Sequence, residues 1–337
     1  MLTFNIIYTK DSVSVLSNFV LSLLDHTNYN FRLVANGCSL IEKGALIKMC
    51  ESNSRLSYWS YPSSTIAAHG SVLNMLQGMN KDEYFCFMDS DIFATGQIEN
   101  HENYLKEQRL SALFSALPIW VKENETTFKK GFKNLVGTFN KLNYGDCIGG
   151  TYFAIYDNKA LGEIMQYYSV GFDEMYFKDL EPIIQKSFLD LGYKPHALDT
   201  GKVINFLLLS QNKKMANILV DELCHIGGTS FEVERNNEIK KWYKNDKGSL
   251  HFFKKIYFRF KNRTLPKEEL RINYNQRLLH RNMTRAHFIN LMHSLVQGSN
   301  IPLPLKMEDR EINNNLNRAH FAVVDLFNKY IKSKELE

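Results

Sequence analysis

Tyr84-Phe85-Cys86-Phe87-Met88-Asp89-Ser90-Asp91 is a run of five apolar residues closed by two carboxylates one residue apart. An unbroken apolar run of this length, without polar alternation, predicts a central parallel strand buried on both faces. Ligands of open α/β sheets bind in the crevice beyond the carboxyl ends of the strands, so Asp89 and Asp91 stand where a ligand is expected. Two hard oxygen donors there suit Mg²⁺ or Mn²⁺, which keep positions open for phosphate oxygens. An isolated pair of this kind reads more readily as a solvated acidic turn than as a site. The strand in front of it is what favours a site.

Working outward, the spacing of Ile66, His69, Val72, Leu73 and Leu76 predicts a helix over 65–79 just before the strand. His69 reads as core or helix face, having no acidic neighbour in sequence. Further upstream, Phe4–Tyr8 is a short apolar strand and Val13–Leu24 has helical spacing. Phe31–Val34 is a second strand ending in the turn Ala35-Asn36-Gly37-Cys38-Ser39, then come a helix over 40–50 and a strand near 56–59. The order is βαβαβ followed by αβ.

Downstream, Ser111–Pro118 is apolar, and Gly149-Gly150-Thr151 leads into a strand reaching Tyr156. Helices are predicted over 181–191 and 202–209. A strand over 217–223 delivers His225, and a last helix spans 316–331.

At 337 residues and 44% apolar composition, the chain is globular and of α/β class, long enough for one large domain with extensions. Nothing at Met1-Leu2-Thr3 resembles a secretory leader, and no apolar run reaches membrane-spanning length, so a cytoplasmic protein, peripheral at most, is expected. Five cysteines, Cys38, Cys50, Cys86, Cys147 and Cys224, include no C-x-x-C pair and read as reduced core residues. Three short glycosylation-like triplets, beginning at Asn124, Asn262 and Asn282, need a secreted context and are set aside.

A D-x-D after a strand also opens the haloacid-dehalogenase phosphatases, but those need Thr or Val where this chain has Phe93. The ordered set Ile6-Ile7-Tyr8-Thr9-Lys10-Asp11, Ala35-Asn36-Gly37-Cys38-Ser39, Leu73-Asn74, Asp89-Ser90-Asp91, Gly149-Gly150-Thr151 and Gly192-Tyr193-Lys194 resembles GT-A-fold glycosyltransferases, nearest the inverting family-2 group, over roughly residues 3–230. The resemblance implies a Rossmann-like, mostly parallel sheet flanked by helices, with a nucleotide-sugar half over 1–100 and an acceptor and catalytic half over 101–231. The charged, aromatic pattern beyond it predicts a basic, mainly helical C-terminal extension over 232–337. The activity implied is transfer of a sugar from a UDP-, GDP- or dTDP-sugar to a saccharide or lipid-linked acceptor, with a divalent metal, Mn²⁺ or Mg²⁺.

Residue by residue, the resemblance puts Thr9, Asp11, Asn36, Asn74, Asp89 and Ser90 on the nucleotide sugar, and Asp91, Asp89 and His225 on the metal. Gly149, Gly150, Trp120, Gly227 and Gly228 fall on the acceptor or diphosphate side. Ala35 replaces an acid that reads the base in many relatives, and Ile92 replaces a frequent third acid. The family's catalytic acid falls on Glu181, counted back from Gly192, with Asp179 as its neighbour; both also suit a plain helix start with Pro182 in its first turn. Cys224-His225-Ile226-Gly227-Gly228-Thr229-Ser230 resembles a His-x-Gly-Gly-x-Ser segment in which the histidine approaches the metal or diphosphate. A buried core histidine is the plain alternative. A retaining transferase, or an inactive scaffold of the same fold, would share the nucleotide half.

Residues 240–290 hold fourteen Lys or Arg against three acids, a net +11 that leaves −6 for the rest of a +5 chain. Trp242, Tyr243, Phe252, Phe253, Tyr257, Phe258 and Phe260 are interleaved with the cations. Such a mixture suits an anionic membrane surface, which is favoured over nucleic acid, or a helical subdomain with a solvated basic face.

Overall fold

The computed structural model describes residues 1–121, 150–191, 197–229 and 268–331. Gly149, Cys147, Gly192-Tyr193-Lys194, Ser230 and residues 240–267 of the basic stretch lie outside the described residues.

The chain opens with β1 (Thr3–Thr9), α1 (Val13–Leu16), α2 (Phe19–His26), β2 (Asn30–Asn36), α3 (Leu40–Glu51), β3 (Leu56–Ser60), α4 (His69–Met79) and β4 (Tyr84–Met88). It continues with β5 (Ile92–Ala94), α5 (His101–Gln108), β6 (Ala112–Ser115), β7 (Phe153–Asp157), α6 (Asn158–Tyr168), β8 (Met175–Tyr176), α7 (Pro182–Asp190), β9 (Ala197–Leu198), α8 (Lys202–Ser210), β10 (Met215–Asn217) and β11 (Leu223–His225). Two long helices close it, α9 (Glu268–Gln297) and α10 (Arg310–Ile331).

Seven strands form one sheet in the order β10-β6-β7-β4-β1-β2-β3. Only β7 runs against its neighbours, β4 and β6; the other pairings are parallel. The mostly parallel, helix-flanked α/β architecture stands as expected, and strands from 1–100 and from 101–231 lie side by side in this one sheet. β4 sits in its middle with every residue buried. Cys86 and Met88 enter one core and Phe85 and Phe87 the other. Phe87 meets Phe172 at 5.5 Å and Tyr156 at 6.1 Å between ring centroids, and across the sheet Phe4 meets Phe153 at 4.7 Å. Each such ring contributes roughly 1.5–3 kcal/mol of burial, which holds the strand delivering Asp89 firmly in the sheet.

One face of the sheet is covered by α4, α6, α7 and α8. The other is covered by α1, α2, α9 and α10, whose Phe288, Met292, Leu316, Val323 and Phe327 share a core with Phe4, Phe19 and Met88. The expected C-terminal helices therefore form part of the main core. They are joined by a His287 Nε2–His320 Nδ1 contact of 3.0 Å.

Three local readings change. The helix expected over 13–24 is broken at Ser17-Asn18 into α1 and α2, and the helix over 65–79 begins only at His69. The strand expected over 217–223 is two short strands in different sheets: β10 extends the main sheet beside β6, while β11 pairs antiparallel with β5. A three-residue strand carries too little periodicity to be read locally, and its partner lies over 100 residues away.

Candidate metal centre

β1, β2 and β4 end side by side, with Ile6 level with Met88 and Thr9 level with Asn36. Asp89 follows β4, and its amide donates to the Tyr152 carbonyl at 2.7 Å, which fixes the turn against the start of β7. The chain then reverses into β5, whose Ile92 pairs with His225 of β11. That ribbon carries His225 beside the two carboxylates, although the histidine lies 134 residues beyond Asp91 in sequence.

His225 Nε2 lies 3.2 Å from Asp91 Oδ1 and 3.4 Å from Asp89 Oδ2. It is fully buried, and despite those distances Nε2 makes no aligned hydrogen bond to either oxygen. Three potential ligand atoms thus lie together, all within 4.8 Å of one another. The surrounding contacts leave the converging atoms bare. Asp91 Oδ2 accepts from the Thr229 amide at 2.9 Å and from Thr229 Oγ1 at 2.7 Å, which reserves Oδ1 for the centre. His225 Nδ1 faces the Ala116 carbonyl at 2.9 Å, an acceptor that requires the proton on Nδ1 and so exposes Nε2 to the carboxylates. Ala116 has φ 61°, a left-handed conformation that costs a non-glycine residue about 1–3 kcal/mol. The Tyr152 ring lies 4.7 Å from the His225 ring and covers it.

Charge reinforces this geometry. Burial alone would lower the His225 pKa, but the Asp91 charge and its contacts with both carboxylates raise it to about 10. Burial likewise acts to raise Asp91, yet the His225 charge and the His225 and Thr229 contacts bring it to about 2. Asp89 is raised, by burial first and also by the Asp91 charge, against the pull of His225 and His69. Without a metal the centre is held by one imidazolium between carboxylates. A divalent cation would take the place of that proton, and two carboxylates with a neutral imidazole form a mixed O/N donor set that fits Mn²⁺ better than the all-oxygen preference of Mg²⁺.

No family model matches the chain, and no curated protein matches it. Among solved structures it is similar to residues 1–349 of S. aureus TarS, with 12% identity, 98% of this chain and 92% of that chain covered, and a TM-score of 0.41. The complex of TarS 1–349 with UDP-GlcNAc gives 12% identity over the same shares and a TM-score of 0.40. The longer TarS structure gives 11% identity, with 96% of this chain and 55% of that chain covered and a TM-score of 0.41. Likeness at this level carries no functional weight, and the chemistry of the centre rests on its own residues.

The other expected residues divide into two groups. Thr9 Oγ1 and Ser90 Oγ are buried without a hydrogen-bond partner, so together with His225 Nε2 three of the orphaned polar atoms among the described residues fall on positions expected to meet the ligand. Asp11 forms the turn after β1 at φ 66°. Gly227 and Gly228 follow His225 at φ 92° and 76°, and a Cβ on Gly227 would meet Trp120 Nε1 at 2.7 Å. Trp120 Nε1 donates to the Ile226 carbonyl at 2.9 Å, so Trp120 buttresses the histidine loop. Gly150 precedes Tyr152, whose ring a Cβ there would strike.

Asn36 and Asn74 are hydrogen-bonded within the scaffold. The Asn36 amide exchanges two 2.9 Å hydrogen bonds with the Ala67 backbone, folding residues 61–68 over the end of β2. Asn74 donates to Asp173 at 2.6 Å and accepts from the Phe172 amide at 2.7 Å. Asp179 and Glu181 are both exposed; Asp179 pairs with Lys178 at 3.4 Å, and Glu181 begins α7 without a side-chain capping bond.

Three residues escaped the sequence reading. His69, which reads as core or helix face, feels the charges of both Asp89 and Asp199, neighbours brought by the fold. Thr229 occupies a variable position of the His-x-Gly-Gly-x-Ser segment, where the sequence does not single it out. Arg285 of α9 donates through Nε to the Gly227 carbonyl at 2.7 Å, and its guanidinium lies against Gly228. Arg285→Ala is expected to loosen the loop that carries Thr229 and His225 and to weaken Mn²⁺ binding about 10-fold, at the low end for loss of an outer support. Titration of Mn²⁺ by electron paramagnetic resonance measures this; equal affinity in variant and wild type would leave Arg285 as packing alone.

Proposed function

We propose that this chain is a metal-dependent glycosyltransferase, moving a sugar from a nucleotide diphosphate to a saccharide or lipid-linked acceptor with inversion. The observation that carries the reading is the convergence of Asp89, Asp91 and buried His225 Nε2 at the carboxyl end of β4. Asp91 Oδ1, Asp89 Oδ2 and His225 Nε2 would hold the ion. When bound, Mn²⁺ or Mg²⁺ supplies positive charge to the leaving diphosphate.

The chain's own residues do the rest. Thr229 and the Ala116 carbonyl orient the ligands, while Tyr152 and Trp120 wall off the histidine from water. Thr9 Oγ1 and Ser90 Oγ, without a hydrogen-bond partner among the described residues, supply polar atoms for a nucleotide sugar. Asp11, and Asn36 and Asn74 through the loops they hold, shape the donor side of the crevice. The anionic membrane surface remains the proposed partner of residues 240–290, and no helix among the described residues is long and apolar enough to cross a membrane.

A thermal-shift panel of UDP-, GDP- and dTDP-sugars, beginning with UDP-GlcNAc, tests the reading with Mn²⁺ and with EDTA. At least one donor is expected to raise Tm in Mn²⁺ and to lose that effect in EDTA; saturation at 100-fold above Kd adds about 2.7 kcal/mol. No Mn²⁺-dependent shift with any of them would contradict it.

A further inference from the structure

We infer that Asp199, supported by Glu174, is the general base that takes the acceptor's proton. The inference rests on the sugar-transfer reading and names the acceptor side of the same site.

The placement follows from a two-stranded ribbon. β8 and β9 pair antiparallel, with Met175 opposite Leu198 and Tyr176 opposite Ala197. Glu174 and Asp199 are therefore the next opposed positions at one end of the ribbon, and Asp179 and Glu181 lie beyond its other end. From the Asp199 end a short chain of bonds leads to the metal centre. The Thr200 carbonyl accepts from Thr151 Oγ1 at 2.9 Å, and the adjoining Tyr152 carbonyl accepts the Asp89 amide at 2.7 Å. Close approach is enforced on the way, because a Cβ on Gly201 would meet Thr151 Cγ2 at 2.9 Å. His69 feels the charges of both Asp89 and Asp199.

The chemistry divides within the pair. Asp199 Oδ1 accepts the Thr200 amide at 2.9 Å, which sets the carboxylate's direction, and the residue is exposed, as a group that must meet an acceptor has to be. Glu174 is raised, first by burial and then by the Asp199 charge and a hydrogen bond shared with it, which ties the two carboxyl groups together. Glu174 is thus a positioning residue and Asp199 the catalytic one. In the step, an Asp199 oxygen removes the acceptor's hydroxyl proton. The acceptor oxygen bonds to the anomeric carbon as the bond from that carbon to the phosphate oxygen breaks, and its electron pair leaves on the diphosphate.

Donor hydrolysis gives the test, with water as acceptor and UDP-, GDP- and dTDP-sugars in Mn²⁺ as probes. Asp199→Asn, which keeps the oxygen facing the Thr200 amide, is expected to lose at least 100-fold in kcat, within the usual contribution of a general base. Its Mn²⁺-dependent donor thermal shift should stay at the wild-type value. Glu174→Gln, which preserves a donor to Asp199, is expected to lose less than 10-fold in kcat with KM unchanged, and Glu174→Ala more than that, again without a change in KM. Wild-type turnover in Asp199→Asn, or a 100-fold loss in Glu181→Gln or Asp179→Asn with Asp199→Asn active, would overturn the assignment and leave sugar transfer standing. Absence of Mn²⁺-dependent donor binding in the wild type would overturn sugar transfer, and the base with it.

Discussion

Asp91→Asn is expected to reduce sugar-nucleotide turnover by at least about 1,000-fold while the chain stays folded. The replacement keeps the size of the side chain and a carbonyl oxygen able to accept from Thr229, so the two bonds at 2.7 and 2.9 Å can persist. It removes the negative charge that Oδ1 offers 3.2 Å from His225 Nε2. Loss of a charged ligand takes away several kcal/mol of leaving-group stabilisation, and 1,000-fold corresponds to about 4 kcal/mol. Turnover of the donor with the largest Mn²⁺-dependent thermal shift gives the activity, and far-UV circular dichroism reports the fold. Asp91→Asn turning over within 10-fold of wild type would remove Asp91 from the centre.

His225→Ala is expected to lower the stability of the metal-free protein as well as metal affinity, costing about 3–5 kcal/mol at pH 7, because the imidazolium is what balances two neighbouring carboxylates where Asp91 is buried. The sign of the pH dependence distinguishes this from simple cavity formation. In the wild-type apoprotein His225 is raised to about 10, so its contribution is complete below its ordinary value near 6.5 and is lost as pH rises through about 10. Asp91, lowered to about 2, contributes above its ordinary 3.8 and loses that contribution as pH falls through about 2. In the variant, Asp89, already raised by burial and the Asp91 charge, loses the opposing histidine. A carboxyl raised in the folded state favours folding at low pH, so the variant recovers stability on acidification from pH 7 to 5. Urea unfolding in EDTA at both pH values measures this. A loss equal at pH 7 and pH 5 would mean the histidine is only a core side chain.

What could be read in the chain and what could not separate along one physical line. β4 and the two aspartates were legible because five consecutive apolar residues state burial on both faces by themselves. His225 was legible as a candidate because the two glycines after it have positive φ in the structure and were visible as glycines. The pairing of β5 with β11, the strained Ala116 carbonyl and the two hydrogen bonds from Thr229 to Asp91 depend on contacts across more than 100 residues and leave no local periodicity. Asn36 and Asn74 show the converse: an asparagine after a strand or in a helix suits a ligand and a loop equally well, and only their partners reveal the loop. Counting back from Gly192 points to Glu181 and Asp179 and never reaches Asp199, which lies after that glycine. The tie from Asp199 to Asp89 runs through the Thr151–Thr200 and Asp89–Tyr152 bonds, which no spacing along the chain shows.

The most direct test of the central claim is a Mn²⁺ titration followed by electron paramagnetic resonance on wild type, Asp91→Asn and His225→Ala. One bound ion per wild-type chain, lost in both variants, is the predicted result. A wild-type chain that binds no Mn²⁺, or variants that bind it as tightly as wild type, would contradict the metal centre at Asp89, Asp91 and His225.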